Sequence, residues 1–151
     1  MNRSSNSHSR MFLMEMMFAI LFFSLAGAVC LRMFAASRRM SVSAAELNMA
    51  VNQAGNAAEL LKNSYRTNAS RFPGCILDEY PDAAADGAGI TVYYDTNWES
   101  CPKETGAYYM QILQTTVQDD ITPFQILVYD AAEDETSIYS LELKLHAPNL
   151  P

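Results

Sequence analysis

The chain of 151 residues predicts an α+β protein, with one long N-terminal helix packed against a small antiparallel β-sheet. Three observations carry that expectation. Residues 11–31 form a predominantly apolar run, apolar residues then recur at steps of four and three as far as residue 65, and four strand-like segments follow residue 89. Together they predict a membrane-spanning first half of the helix, an amphipathic second half, and a sheet lying against that second half.

The apolar run has the length a membrane asks for. A hydrocarbon core roughly 30 Å thick takes about 20 residues of helix. Ahead of the run lies a polar leader, residues 1–10, with Arg3 and Arg10 as its charges. Within the run sits one carboxylate, Glu15. An ionised group in lipid costs about 3 kcal/mol on insertion scales, so it calls for a partner or a task. A removable secretory signal, cut near Ala26-Gly27-Ala28, is the rival reading. Glu15 and the apolar residues continuing through Val29, Leu31, Met33 and Phe34 speak against it. Arginines flank the run on both sides (Arg3 and Arg10, then Arg32, Arg38 and Arg39), so charge counting leaves orientation open.

The overall charge of −7 hides a division. Residues 1–39 hold five Arg and one Glu, a net +4, whereas residues 40–151 hold five Lys/Arg and sixteen Asp/Glu, a net −11. An acidic body argues against nucleic-acid binding, which needs cationic surface to neutralise phosphates.

No proline interrupts the chain before Pro73, so the helix is expected to continue well past the membrane run. Met40, Ala44, Leu47, Val51, Ala54, Ala58, Leu61 and Tyr65 form the seam of steps four and three. A helix over 11–62 would be about 78 Å long at 1.5 Å per residue. The seam suits packing on the domain's own sheet, and it also suits packing on neighbouring helices of an assembly. Residues 66–89 carry Pro73-Gly74, Pro81 and the Ala/Gly/Asp stretch 83–89, and read as a connecting loop. Strands are then expected at 90–95, 108–116, 124–131 and 138–145, the last alternating cleanly between Tyr139, Leu141, Leu143, Leu145 and Ser140, Glu142, Lys144. Short polar connections predict an antiparallel meander.

Of the three cysteines, Cys30 lies in the apolar run, and Cys75 and Cys101 lie in the acidic part with 25 residues between them. In an oxidising compartment that pair would close a loop worth about 3 kcal/mol; in a reducing one both remain thiols. Neither spacing nor residue type suggests a structural zinc site.

The segment Met11-Phe12-Leu13-Met14-Glu15, after a short basic leader and before a long apolar helix, resembles the prepilin N-terminus shared by type IV pilins and pseudopilins of type II secretion and competence systems. Glu15 matches the family's glutamate, fifth after the cleavage point; Phe12, Leu13 and Met14 match in apolar character. The likeness spans residues 10–62. It implies a processing site between Arg10 and Met11, although Arg10 stands where the family has glycine and Met11 where it usually has phenylalanine. It further implies a pilin-like fold with an extracytoplasmic sheet domain, and assembly through Glu15, Phe12, Leu13 and Met14 with other pilin-like subunits. A prepilin peptidase and an assembly platform would be further partners. In such filaments the glutamate is thought to meet a neighbour's amino terminus; with an uncut leader, a neighbour's Arg10 is the alternative.

No catalytic constellation stands out. His8 and His146 are the only histidines, and nothing sets His146 beside a nucleophile. Asp119-Asp120 and Glu133-Asp134-Glu135 read as solvated turns rather than calcium loops. Tyr93, Tyr94, Trp98, Tyr108 and Tyr109 read as strand packing, with an aromatic binding patch as the other option. Asn68-Ala69-Ser70 fits a glycosylation acceptor, a pattern too short to weigh much. No enzyme activity, cofactor or metal is expected. The expected organisation is a leader at 1–10, a transmembrane helix at 11–34, its amphipathic continuation at 35–65 and an extracytoplasmic loop-and-sheet domain at 66–151. The expected function is structural, in a type IV pilus, type II secretion or competence filament. The alternative is a membrane-tethered binding module that never polymerises.

Overall fold

The computed structural model describes residues 5–67, 72–87, 89–115, 121–132 and 136–146, with side chains in the first stretch from residue 10 onward. Helix α1 spans Ser5–Thr67. It starts earlier than the apolar run because leader residues 5–10 contain no glycine or proline to stop it. Gly27 and Gly55 lie inside it with open space where a side chain would stand. The chain divides into two compact units, Met1–Ala44 and Ala45–Pro151.

The second unit holds the fold's core. Beyond α1 come a short helix α2 (Gly74–Glu79) and strands β1 (Ala84–Asp86), β2 (Gly89–Tyr94), β3 (Ser100–Cys101), β4 (Tyr108–Gln114), β5 (Ile121–Asp130) and β6 (Ser137–His146). The protein is α+β, and all six strands pair antiparallel in one open sheet ordered β1-β2-β4-β5-β6, with β3 also on β2. Four strands were expected. The two additional ones are short, and β1 and α2 occupy what reads in sequence as loop. β5 begins three residues before the expected strand and takes in Pro123, whose carbonyl accepts the Thr115 amide at 3.0 Å.

Alternation places Ile90, Val92 and Tyr94 of β2, Met110 and Ile112 of β4, and Phe124, Ile126 and Val128 of β5 on one buried face. Against it lie Ala50, Ala54, Ala57, Ala58, Leu61 and Tyr65 of α1. Tyr65 and Phe72 both meet the Phe124 ring edge-on, at 5.6 Å and 5.1 Å. Ile76 of α2 closes the same core.

The expected seam needs correction at its N-terminal end. Ala54, Ala58, Leu61 and Tyr65 are buried as expected, but Leu47 and Val51 are 43% and 38% exposed, and Ala50 is buried instead. A repeat of four and three advances 3.5 residues per turn, while a straight helix has 3.6, so the stripe drifts about 20° per heptad. Two heptads back from Leu61 it has rotated about 40° off the sheet.

Candidate functional site

In the first unit every described side chain, from Arg10 to Ala44, is exposed. This is the one described helix long and apolar enough to cross a membrane. Phe12, Leu13, Met14, Phe18, Phe22 and Phe23 are all more than half exposed. Glu15 emerges near the N-terminal end of that surface. Its neighbours one turn away are Met11, Phe12, Phe18 and Ala19. Arg10 lies five residues back, about 140° around the helix, so it does not share the Glu15 face. Among the described residues the only ion pair is Lys62 with Glu59, at 3.1 Å, which leaves Glu15 without a counter-charge of its own. Arg10 and Met11, the expected processing site, sit within continuous helix.

The second unit has a groove of about 930 Å³ between the C-terminal part of α1 and the end of β6. Asn56, Glu59, Asn63 and Arg66 form one wall, Leu145 and His146 another, and Glu79 and Tyr80 close it. Burial raises the Tyr80 phenol above its ordinary range, and the charge of Glu79 adds to the rise. The lining mixes amides and both signs of charge with a comparable share of apolar surface from Leu60, Tyr65 and Leu145, a set suited to holding an amphipathic ligand or peptide. Among the described residues it contains no serine, threonine or cysteine nucleophile. His146 is exposed at the end of β6 and lies at the rim of this groove. The groove was not foreseen; Asn56 and Asn63, one heptad apart and off the apolar seam, were its only trace in sequence.

The structure separates the aromatic cluster into two. Tyr94, Trp98 and Tyr108 turn inward with the core, the Trp98 and Tyr108 rings stacked at 4.3 Å. Tyr93 and Tyr109 lie on the opposite face, joined by Tyr129, in direct cross-strand register. The Tyr109 and Tyr129 rings stack at 5.0 Å and 17°, so their faces are directed at each other. Gly106 passes close enough to Tyr93 that a side chain there would press on its ring, with 3.2 Å to Cβ.

No protein-family model, curated protein or solved structure matches the chain. Its functional reading therefore rests on its own residues.

Cys75 and Cys101 are free thiols in this structure. Cys75 belongs to α2, beside the core, while Cys101 belongs to β3, paired with Tyr93 on the far side of β2 from β4. Cys30 is exposed within α1. Asn68-Ala69-Ser70, Asp119-Asp120 and Glu133-Asp134-Glu135 lie outside the described residues.

Proposed function

We propose that the chain is a structural subunit, minor pilin-like or pseudopilin-like, of a filament of the type IV pilus, type II secretion or competence kind. The N-terminal half of α1 anchors it in the cell membrane as a single pass, with the sheet domain on the extracytoplasmic side. The observation that carries the reading is Glu15: a carboxylate with no ion-pair partner among the described residues, ringed by exposed Met11, Phe12 and Phe18. Buried in lipid, such a group is stabilised when an adjoining subunit supplies a cation, either an amino terminus or Arg10. Phe12, Leu13 and Met14 then pack between helices. The exposed Met40, Leu47 and Val51 extend the same kind of contact beyond the membrane, since the domain's own sheet does not cover them. Prepilin peptidase and an assembly platform are the accessory partners this reading requires.

Substituting Glu15→Gln tests it. The variant is expected to insert into membrane normally and to lose incorporation into filaments; normal incorporation would overturn the assignment. A second reading, a tethered binding module that stays monomeric, draws on Arg10 at the processing position and on the groove beside β6. Mass spectrometry of the mature N-terminus separates the two, with a start at Met11 expected for a subunit and Met1 for a permanent tether.

A further inference from the structure

The two edges of the sheet are unlike. One is β1, only three residues long and ending at a Gly87 turn. The other is β6, ten residues from Ser137 to His146, paired with β5 on one side and, among the described residues, with no strand on the other. A long free edge presents a row of backbone donors and acceptors, and proteins ordinarily blunt it with proline, bulges, inward-pointing charges or charged side chains such as lysine along the edge. Along residues 140–146 β6 has no proline, bulge or inward charge; it carries only Glu142 and Lys144, whose charges a partner edge can satisfy. Its one irregularity lies opposite Val128/Tyr129, near its start. Its inward residues are apolar, and Tyr139, Leu141 and Leu143 are only partly covered. Its outward residues Ser140, Glu142, Lys144 and His146 are exposed.

The two outward charges are opposite in sign and two residues apart, which makes the edge complementary to itself in one register. If two copies of β6 pair antiparallel about a two-fold axis at Leu143, each Glu142 stands directly opposite the other copy's Lys144, twice over. Ser140 then faces His146, and on the inner side Leu141 faces Leu145 and Leu143 faces its own counterpart. Antiparallel residues in direct register share a face, so outward charges meet charges and inward leucines meet leucines. Shifting the axis to Glu142 or Lys144 sets like charges against each other. Shifting it to Leu141 breaks both ion pairs.

We infer that β6 is a self-association edge, through which two copies of this chain join their sheets antiparallel about Leu143, with Glu142 of each copy against Lys144 of the other. The contact is independent of Glu15, because it uses only the second unit, and it closes on itself as a two-fold pair instead of propagating.

The test uses the full chain in detergent micelles or nanodiscs, with donor- and acceptor-labelled copies mixed and association read by energy transfer. Glu142→Lys alone and Lys144→Glu alone each replace two ion pairs with two like-charge pairs, and each is expected to self-associate about tenfold more weakly. Mixing the two single variants re-creates both pairs across the heterodimer and is expected to restore native association. Both positions are exposed, and an unchanged near-ultraviolet circular dichroism spectrum checks that the variants fold. Carbodiimide coupling of a mixture of ¹⁴N and ¹⁵N chains should give isotopically hybrid peptides joining Glu142 to Lys144. Those hybrids should persist in Glu15→Gln, so loss of helix-mediated assembly and loss of this pairing are separately visible. Single variants that associate like the native chain, a mixture that fails to recover, or absence of the hybrid peptides would each overturn the assignment.

Discussion

The indole of Trp98 lies against the ring of Tyr108 with centroids 4.3 Å apart and planes 14° from parallel. Two hydrogen bonds tie this stack to α1. The Tyr108 hydroxyl donates to Glu46 Oε1 at 3.2 Å, and Gln53 Nε2 donates to the Trp98 carbonyl at 3.3 Å. Trp98 reaches its place with φ of 63°, a conformation costly for a bulky residue. The turn that holds it is braced by Asp95, whose Oδ1 accepts the amides of Asn97 and Glu99.

The stack should outweigh the backbone cost. Trp98→Ala removes a buried indole and is expected to destabilise the sheet domain by about 3 kcal/mol. Urea denaturation followed by circular dichroism measures it. A variant of native or higher stability would show that strain at this turn dominates packing.

Tyr94 gives a smaller effect. Its buried hydroxyl faces the Tyr80 phenol as a weak polar contact and makes no hydrogen bond of good geometry, so Tyr94→Phe is expected to change domain stability by less than about 1 kcal/mol. Calorimetry or chemical denaturation at neutral pH measures the change.

The same phenol controls the alkaline limb of stability. Burial pushes the Tyr94 hydroxyl well above its ordinary value near 10, and burial also raises Tyr80 and Tyr108, the latter with help from the charge of Glu46. The folded state thus keeps these groups protonated where the unfolded chain would release its protons. Their contribution is complete below pH 10 and is lost as pH rises above it. Tyr94→Phe should make the fall in midpoint above pH 10 shallower, and an unaltered profile would assign the alkaline limb to other groups.

Substitutions along α1 should separate the true buried stripe from the drifting one. Leu47→Gln and Val51→Gln alter exposed positions and are expected to change domain stability by less than about 0.5 kcal/mol. Ala57→Leu inserts three carbons where α1 meets the sheet and should cost about 2 kcal/mol. Equal costs at all three positions would place the contact on the other stripe.

Much of the architecture was legible because each signal had one physical source. The apolar run at 11–31 and the absence of proline before Pro73 marked the helix, and alternation at Tyr139 through Leu145 marked β6. β1 and β3 escaped notice because strands of three and two residues are too short to show a period. The buried stripe departs from the sequence seam at Leu47 and Val51 because a repeat of 3.5 residues drifts around a helix of 3.6 residues per turn, which brings Ala50 to the sheet instead. The groove beside β6 was hidden for another reason: it is built from Asn56, Tyr80 and His146, which meet only through tertiary folding. Glu15 was visible at once, since a charge in an apolar run needs no fold to be conspicuous.

The alanine row Ala50, Ala54, Ala57 and Ala58 has a mechanical consequence. Methyl groups offer little to interlock, so the middle of the helix–sheet contact resists sliding weakly. Resistance along the axis falls to the flanking anchors: Glu46 and Gln53 toward one extremity, Leu61 and Tyr65 toward the other. A tensile load on this domain would be borne at its ends, and rupture would begin where those few interlocking side chains let go.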